Sequence, residues 1–362
     1  MSSSDDVVRL REWGSERIHV LPASSPAMSS PTSPISPGDL WLVRTEPTGA
    51  LELTEQPAPA SCRHALLSCT EGRWSISDLG TGDGLQQDGA RRAEIALEPG
   101  IELRVAGTTL IAESQRSIDL RRFCSRILGW APDRAHVVDR ALRSIRLGAT
   151  RRAALVLCGD HDVVPIACGL HRRTLGAERP FIVCDPRRSD TAASVRSPVN
   201  YESGMAALEA ASGGTLCARR SRLPRDFAAV VARLRETDAG VQLMIGADLD
   251  DADHAFLAVP APIQVPPLRD RRGEIVRIID EYAIDAIAEL GASALSFTDA
   301  DRQWVIKHAA ISLPEIEKAT LRLVALKTSV SMGSAARRLG MAPISLSRWI
   351  GRRPQPAVHA NP

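Results

Sequence analysis

The sequence predicts a multidomain α/β protein: an N-terminal β-sandwich, a central α/β domain on a parallel sheet, and a C-terminal helix-turn-helix. Three observations predict it. Residues 39–114 hold short alternating runs punctuated by Gly and Pro, the pattern of half-buried strands in a sandwich. Four short apolar runs, Ala153–Cys158, Phe181–Cys184, Thr215–Cys217 and Val241–Ile245, alternate with helical patterns, which implies buried parallel strands with crossover helices. From Arg271 onward the pattern is helical, and from Ala319 to Pro362 there are seven Arg or Lys and no Asp or Glu. The length of 362 residues accommodates two or three domains.

Composition removes several classes of function. Charged residues make up 24% and hydrophobic residues 44%, with a net charge of +2, so neither a wholly basic coat protein nor an acidic disordered chain fits. Aromatics at 4% are too sparse for base-stacking platforms along single-stranded nucleic acid. Lysine occurs only at Lys307, Lys318 and Lys327, so chemistry that needs a lysine earlier in the chain is absent. The seven Cys are scattered without a C-x-x-C, against a disulfide framework or zinc module, and read as buried thiols in a reducing compartment. No run approaches the ~18 apolar residues of a membrane span and no leader pattern opens the chain. The expectation is a cytoplasmic protein with no membrane partner.

Along the chain, residues 1–38 read as a disordered Ser/Pro-rich segment and a plain linker, because such composition buries no core. Residues 39–114 form the sandwich. Trp74–Leu79 and Ile101–Val105 alternate, and turns are signalled at Pro47–Gly49, Gly80–Gly84 and Pro99–Gly100. Residues 115–265 hold a leading helical stretch and the α/β core, 266–328 are helical, 329–354 hold the helix-turn-helix, and 355–362 are a tail. No catalytic or metal site is expected. The eight His show no ligand spacing such as H-E-x-x-H. Asp160, His161 and Asp162 read as a solvated loop, as do the four acids of Asp248–Asp253, which lack the Gly and terminal Glu of a calcium loop.

The C-terminal grammar is specific. Within Ser334–Ile350, Ala335, Ala336 and Leu339 share one helical face, Gly340 permits a turn and Met341 plugs the elbow. Pro343 suits a first helical turn, and Leu346 and Ile350 return to the core. This arrangement sets a second helix into the major groove. Arg337, Arg338, Arg352 and Arg353 are the candidates for phosphate contacts, and Ser345, Ser347 and Arg348 for base edges. The expected partner is double-stranded DNA, bound by a homodimer on a two-fold site. The segment resembles the Fis-type helix-turn-helix that ends many bacterial regulators.

Residues 120–353 resemble the activators of sigma-54 RNA polymerase, whose core is an AAA+ ATPase with a helical lid. Phe123–Ile145 is similar to the family's opening segment. Leu155–Asp160 with Ala167, Leu170 and His171 matches the surroundings of Walker A, and Leu208–Leu216 the approach to Walker B. Val265–Arg272 is the closest match, and Phe297–Asp301 and Leu313–Glu317 track the lid. The catalytic parts depart from the pattern. A phosphate loop needs glycines and a lysine, but this one reads Gly159-Asp-His-Asp-Val-Val-Pro165. The Walker B acids are replaced by Cys217-Ala-Arg-Arg220, the sigma-contacting loop has no counterpart, Phe256–Pro260 carries no arginine finger, and the lid's sensor arginine is Pro314. The expectation is a pseudo-ATPase without cofactor, ATP or Mg²⁺ included.

Residues 39–113 resemble a forkhead-associated (FHA) domain, a phosphothreonine reader. Ser61-Cys-Arg-His-Ala65 matches its Ser-Arg-x-His element in Ser and His, with Arg63 one place from the expected Arg. Asp78–Gly84 matches the element that usually ends in Asn-Gly, and Leu97–Gly100, Leu103 and Gly107 match the late strands. The resemblance implies phosphopeptide contacts from Ser61, Arg63 and Thr81. No Gly-Arg pair lies between Gly38 and Ser61, and Asp83 stands where the family has the peptide-gripping Asn. The main expectation is therefore a DNA-binding transcriptional regulator without ATP hydrolysis. The alternative is a phosphothreonine-dependent adaptor with a phosphoprotein partner.

Overall fold

The computed structural model describes residues 6–22, 40–45, 50–56, 59–80, 82–151, 153–191, 198–236, 240–249 and 260–352. The chain divides into two units, residues 1–122 with 131–140, and residues 123–130 with 141–362.

The first unit is built on β1 (Val7–Glu12), β2 (Ile18–Val20), β3 (Leu40–Thr45), β4 (Ala50–Thr54), β5 (Arg63–Thr70), β6 (Arg73–Asp78), β7 (Leu85–Gln87), β8 (Ala90–Arg92), β9 (Glu94–Ala96), β10 (Glu102–Val105) and β11 (Thr108–Ser114). They form two antiparallel sheets, ordered β2-β1-β11-β10-β7-β8 and β4-β3-β5-β6-β9. Alternate residues of both sheets, among them Leu10, Leu42, Leu67, Ile76, Leu103 and Leu110, close one core. The tight β7–β8 hairpin turns on Asp88-Gly89, with φ of 50° and 77°; both central residues are left-handed, as the strand twist demands.

The sandwich thus begins earlier than residue 39. Residues 7–20, expected in a disordered segment, supply β1 and β2, and β1 pairs with the last strand, β11. The reason is long-range. Arg11 is fully buried and donates to Glu113 of β11 and to Asp139, partners more than 100 residues away in sequence. Residues 1–5 and 23–38 of that expected segment lie outside the described residues.

Helices α1 (Gln115–Leu128) and α2 (Ala135–Arg151) follow, interrupted at residues 129–134. The second unit holds β12 (Leu155–Cys158), α3 (Val164–Thr174), β13 (Phe181–Cys184), β14 (Val199–Tyr201), α4 (Gly204–Ala210), β15 (Thr215–Arg219), α5 (Phe227–Glu236), β16 (Gln242–Ala247) and β17 (Ile263–Gln264). All pair in parallel in the order β14-β13-β15-β16-β12-β17. The four expected apolar runs are β12, β13, β15 and β16; the short edge strands β14 and β17 carried too little pattern to be read. His171 of α3 ties helix to sheet. Its Nε2 meets the Arg179 carbonyl at 3.0 Å and its Nδ1 the Thr215 hydroxyl at 2.8 Å, and burial above all pushes its pKa below the ordinary histidine range.

The chain ends in α6 (Ile275–Glu289), α7 (Asp299–His308), α8 (Leu313–Lys327), α9 (Met332–Arg338) and α10 (Pro343–Gly351). Arg271, buried just before α6, donates to the carbonyls of Arg126 and Ile127 at 2.9 Å each, closing the C-terminal end of α1. Helices α9 and α10 are not a separate domain as expected from residues 329–354. Ala335, Ala336, Leu339, Leu346 and Ile350 share one core with Ala286 of α6 and Leu321, Val324 and Ala325 of α8. Each helix is too short to hold a hydrophobic face alone.

Candidate functional site

Among the described residues, three places bear chemistry, and each is held within one unit. The first is the end of the sandwich where β3 finishes, β5 begins and β6 runs into the loop before β7. Pairing sets this end: Val43 stands opposite Arg63, Ala65 opposite Asp78, and the Leu79 amide donates to the His64 carbonyl at 3.4 Å. Ser61 is exposed in the 3-10 turn that precedes β5, with Cys62 half-buried beside it. Arg63 does not reach outward alone. Its guanidinium lies over the Trp41 ring, 4.4 Å from the centroid.

Arg44, the penultimate residue of β3, was missed by the sequence reading. It donates to the Ala106 carbonyl in the β10–β11 turn. It also acts on His64, whose imidazole is pushed below its ordinary range first by burial and next by the Arg44 charge, with Asp83 pulling the other way. The His64 Nδ1 is buried without a hydrogen-bond partner among the described residues. The available signal was an arginine closing a strand just before the Pro47–Gly49 turn; looking for a Gly-Arg pair passed over it. Thr81 lies outside the described residues.

The second place is the crevice at the C-terminal ends of the parallel strands, where α/β sheets usually hold ligands. Here the loop after β12 is closed on itself. A Cβ added to Gly159 would lie 2.8 Å from one Val163 methyl, and a Cβ added to Gly246 2.8 Å from the other, so Val163 fills the space between the two strand ends. Asp162 receives Arg219 at 2.7 and 3.2 Å. Arg219 also donates to the fully buried Asp185 at 3.2 Å, which Arg222 reaches at 3.1 Å. Asp160 pairs with His161 at 2.8 Å and with Arg269 at 3.4 Å. Asp160, His161 and Asp162 are exposed, as expected of a solvated loop, and Asp160 and Asp162 are in addition paired with Arg269 and Arg219. Among the described residues, no three His, Cys, Asp or Glu side chains gather as a metal site.

The third place is the α9–α10 pair. Ser331 caps α9 by accepting from the Ser334 amide. The helix stops in a Schellman turn: Gly340, left-handed at φ 59°, donates to the Arg337 carbonyl, and Met341 donates to that of Ala336. Pro343 then opens α10. Leu346 and Ile350 face inward, which leaves Ser345, Ser347 and Arg348 exposed, with Arg337 and Arg352 exposed on the same element pair. Arg338 behaves differently from its expected role as a phosphate contact. Its guanidinium is half-buried and donates to the Thr328 carbonyl at 3.1 Å, the Thr328 hydroxyl at 2.6 Å and the Leu290 carbonyl. It closes the C-terminal ends of α8 and α6 and is spent on them. Arg353 lies outside the described residues.

No family model matches the chain, and no curated protein matches it. Solved structures of FHA domains are similar to part of it. The FHA-1 domain of Mycobacterium tuberculosis Rv1747 is 22% identical over 30% of this chain and 97% of that one, with a TM-score of 0.21. Mycobacterium tuberculosis EmbR, solved in complex with a low affinity phosphopeptide, is 15% identical over 30% of this chain and 24% of that one, with a TM-score of 0.21. The FHA domain of an Arabidopsis thaliana hypothetical protein is 16% identical over 32% of this chain and 93% of that one, with a TM-score of 0.20. Among the described residues, no helix is long and apolar enough to cross a membrane.

Proposed function

We propose that the chain is a signalling adaptor whose FHA-like sandwich reads phosphothreonine peptides. The observation that carries this is the gathering of Arg44, Ser61 and His64 at one end of the sandwich, each brought there by a different strand end or turn. A guanidinium and a hydroxyl at one edge suit a phosphate monoester, which takes charge-assisted bonds from Arg above all. Arg44 thereby takes the part that the resemblance gives to the arginine of the Gly-Arg pair. Titration of the full chain with matched phosphorylated and unphosphorylated threonine peptides tests it. Affinity is expected to depend on the phosphate and to fall at least tenfold in Arg44→Ala, at about 1.5–3 kcal/mol for a hydrogen bond to a charged group, and by less, several-fold, in Ser61→Ala. Equal affinity for both peptides rejects the reading.

A second reading, DNA binding by the C-terminal pair as a helix-turn-helix, is favoured by a separate observation. Helix α10 exposes Ser345, Ser347 and Arg348 on a surface that has no acidic residue from Ala319 onward. Two copies on a two-fold duplex site would compensate for one short reading helix. Selection from a random duplex pool at physiological salt is expected to recover one motif, lost when the chain is truncated before Ser329. Motif-free binding, or none, rejects it.

Between these ends the α/β domain serves as an AAA+-like scaffold without ATP hydrolysis. Val163 in the loop and Arg219 paired at the Walker B position support this reading, because both occupy what a nucleotide and its metal require. Mg-ATP at millimolar concentration is expected to leave the melting temperature unchanged, since a ligand that does not bind adds no stability. A rise that Arg219→Ala abolishes overturns it.

A further inference from the structure

We propose that the sandwich selects phosphothreonine peptides that carry a basic side chain close to the phosphothreonine, with Asp83 receiving that side chain. The inference rests on the phosphopeptide reading and specifies its ligand. The sandwich end is bipolar. Arg44 is the penultimate residue of β3 and Arg63 opens β5, while Asp83 stands exposed in the loop between β6 and β7. Val43 pairs with Arg63, Ala65 with Asp78, and the Leu79 amide donates to the His64 carbonyl, so the end of β3, the start of β5 and the loop that holds Asp83 meet at one end of the sandwich; Arg44 and Asp83 act there with opposite sign on His64.

The carboxylate that ends β6 is already committed. Asp78 accepts from Arg91 at 3.3 Å and from the Gly80 amide at 3.0 Å. Asp83 has no ion pair among the described residues, and its backbone is held in place. Its carbonyl accepts from the Gln86 side chain at 3.3 Å. The next residue, Gly84, is left-handed at φ 64°, and the Arg91 guanidinium lies so close that an added Cβ would sit 2.4 Å from its Nε. An asparagine amide would offer a peptide backbone both donor and acceptor; a carboxylate offers acceptors only and one negative charge. Such a group repels a phosphate brought near it and attracts Lys or Arg. The ligand that satisfies both poles has its phosphate toward Arg44 and a cation toward Asp83, and peptides with further acids beside the phosphothreonine are excluded by like charge.

The test uses the full chain and a set of phosphothreonine peptides in which each of three positions on either side is Arg, Ala or Glu in turn. At one position Arg is expected to bind about two- to fivefold tighter than Ala, and Glu weaker, the scale of a partly exposed ion pair. Asp83→Lys is expected to reverse that order, and Asp83→Asn to flatten it. Phosphate-dependent binding that ignores the neighbouring charge, or a preference that Asp83→Lys leaves in place, overturns the role of Asp83 while the phosphopeptide reading stands. Absence of phosphate-dependent binding in the wild-type chain removes both.

Discussion

Asp139→Ala is expected to destabilise the first unit by about 3–5 kcal/mol, the scale for removing one partner of a buried charge cluster. Asp139 is 1% exposed and receives Arg11 at 2.5 and 3.1 Å, Arg121 at 2.8 Å and the Gly14 amide at 2.7 Å. Arg11 has no route to water. Burial alone would depress its pKa, yet Asp139 and Glu113 outweigh that and hold it above its ordinary value, so the cation is kept. Without Asp139 it retains Glu113 and the carbonyls of Glu12 and Ser15, and Arg121 retains Glu16 at the surface. Against a typical total stability of roughly 5–15 kcal/mol, the loss removes much of the margin. Urea unfolding followed by tryptophan fluorescence measures it; Asp139→Asn, which keeps the shape and part of the hydrogen bonding, is expected to lose less. A cost under about 1 kcal/mol in the alanine variant would mean that water enters and solvates Arg11, and the cluster would not be what anchors β1.

Arg338→Ala and Arg348→Ala are expected to separate fold from recognition within ten residues of sequence. Arg338 serves the last carbonyls of two helices, so its removal leaves partly buried acceptors without this donor and costs roughly 1–2 kcal/mol of stability. Arg348 is exposed on α10, so its removal costs less than about 0.5 kcal/mol of stability but about 1–3 kcal/mol of specific duplex binding, with relaxed preference at one base position. On the proposed DNA-binding reading, Arg337→Ala, at an exposed position of α9, is expected to weaken all duplexes alike and lower the salt slope by about 1. Thermal unfolding and competition binding on the same three variants read the two effects. Reversed roles for Arg338 and Arg348 would turn the helix pair around and remove α10 as the reading helix.

In the central domain, the strand that ends at Cys158 and the helix that begins at Val164 flank a loop whose carboxylates are paired with arginines outside it, Asp160 with Arg269 and Asp162 with Arg219. Asp162, which would repel a phosphate, instead neutralises Arg219, which would repel a metal. The two departures read separately in the sequence are one ion pair in the fold.

What the sequence alone determined was periodic and local. Four apolar runs specified β12, β13, β15 and β16, because a strand buried on both faces needs no alternation. Gly340 and Pro343 specified the turn and the start of α10, because only a left-handed residue ends α9 that way and proline costs nothing at a first turn. Tertiary structure alone decided which polar residues are interior. The alternation of Val8-Arg9-Leu10-Arg11 is short, and nothing near it announces that Arg11 is interior, since the carboxylates that make its burial tolerable are Glu113 and Asp139. Arg337 and Arg338 are chemically identical neighbours; 100° of helical rotation sends one to solvent and the other to the carbonyls of Leu290 and Thr328. Arg44 belongs to the candidate site only because β3 and β5 pair in the register that ends both beside His64. Local pattern sets the backbone period, but a charge is buried or exposed according to partners far along the chain, and those partners exist only once the fold has formed.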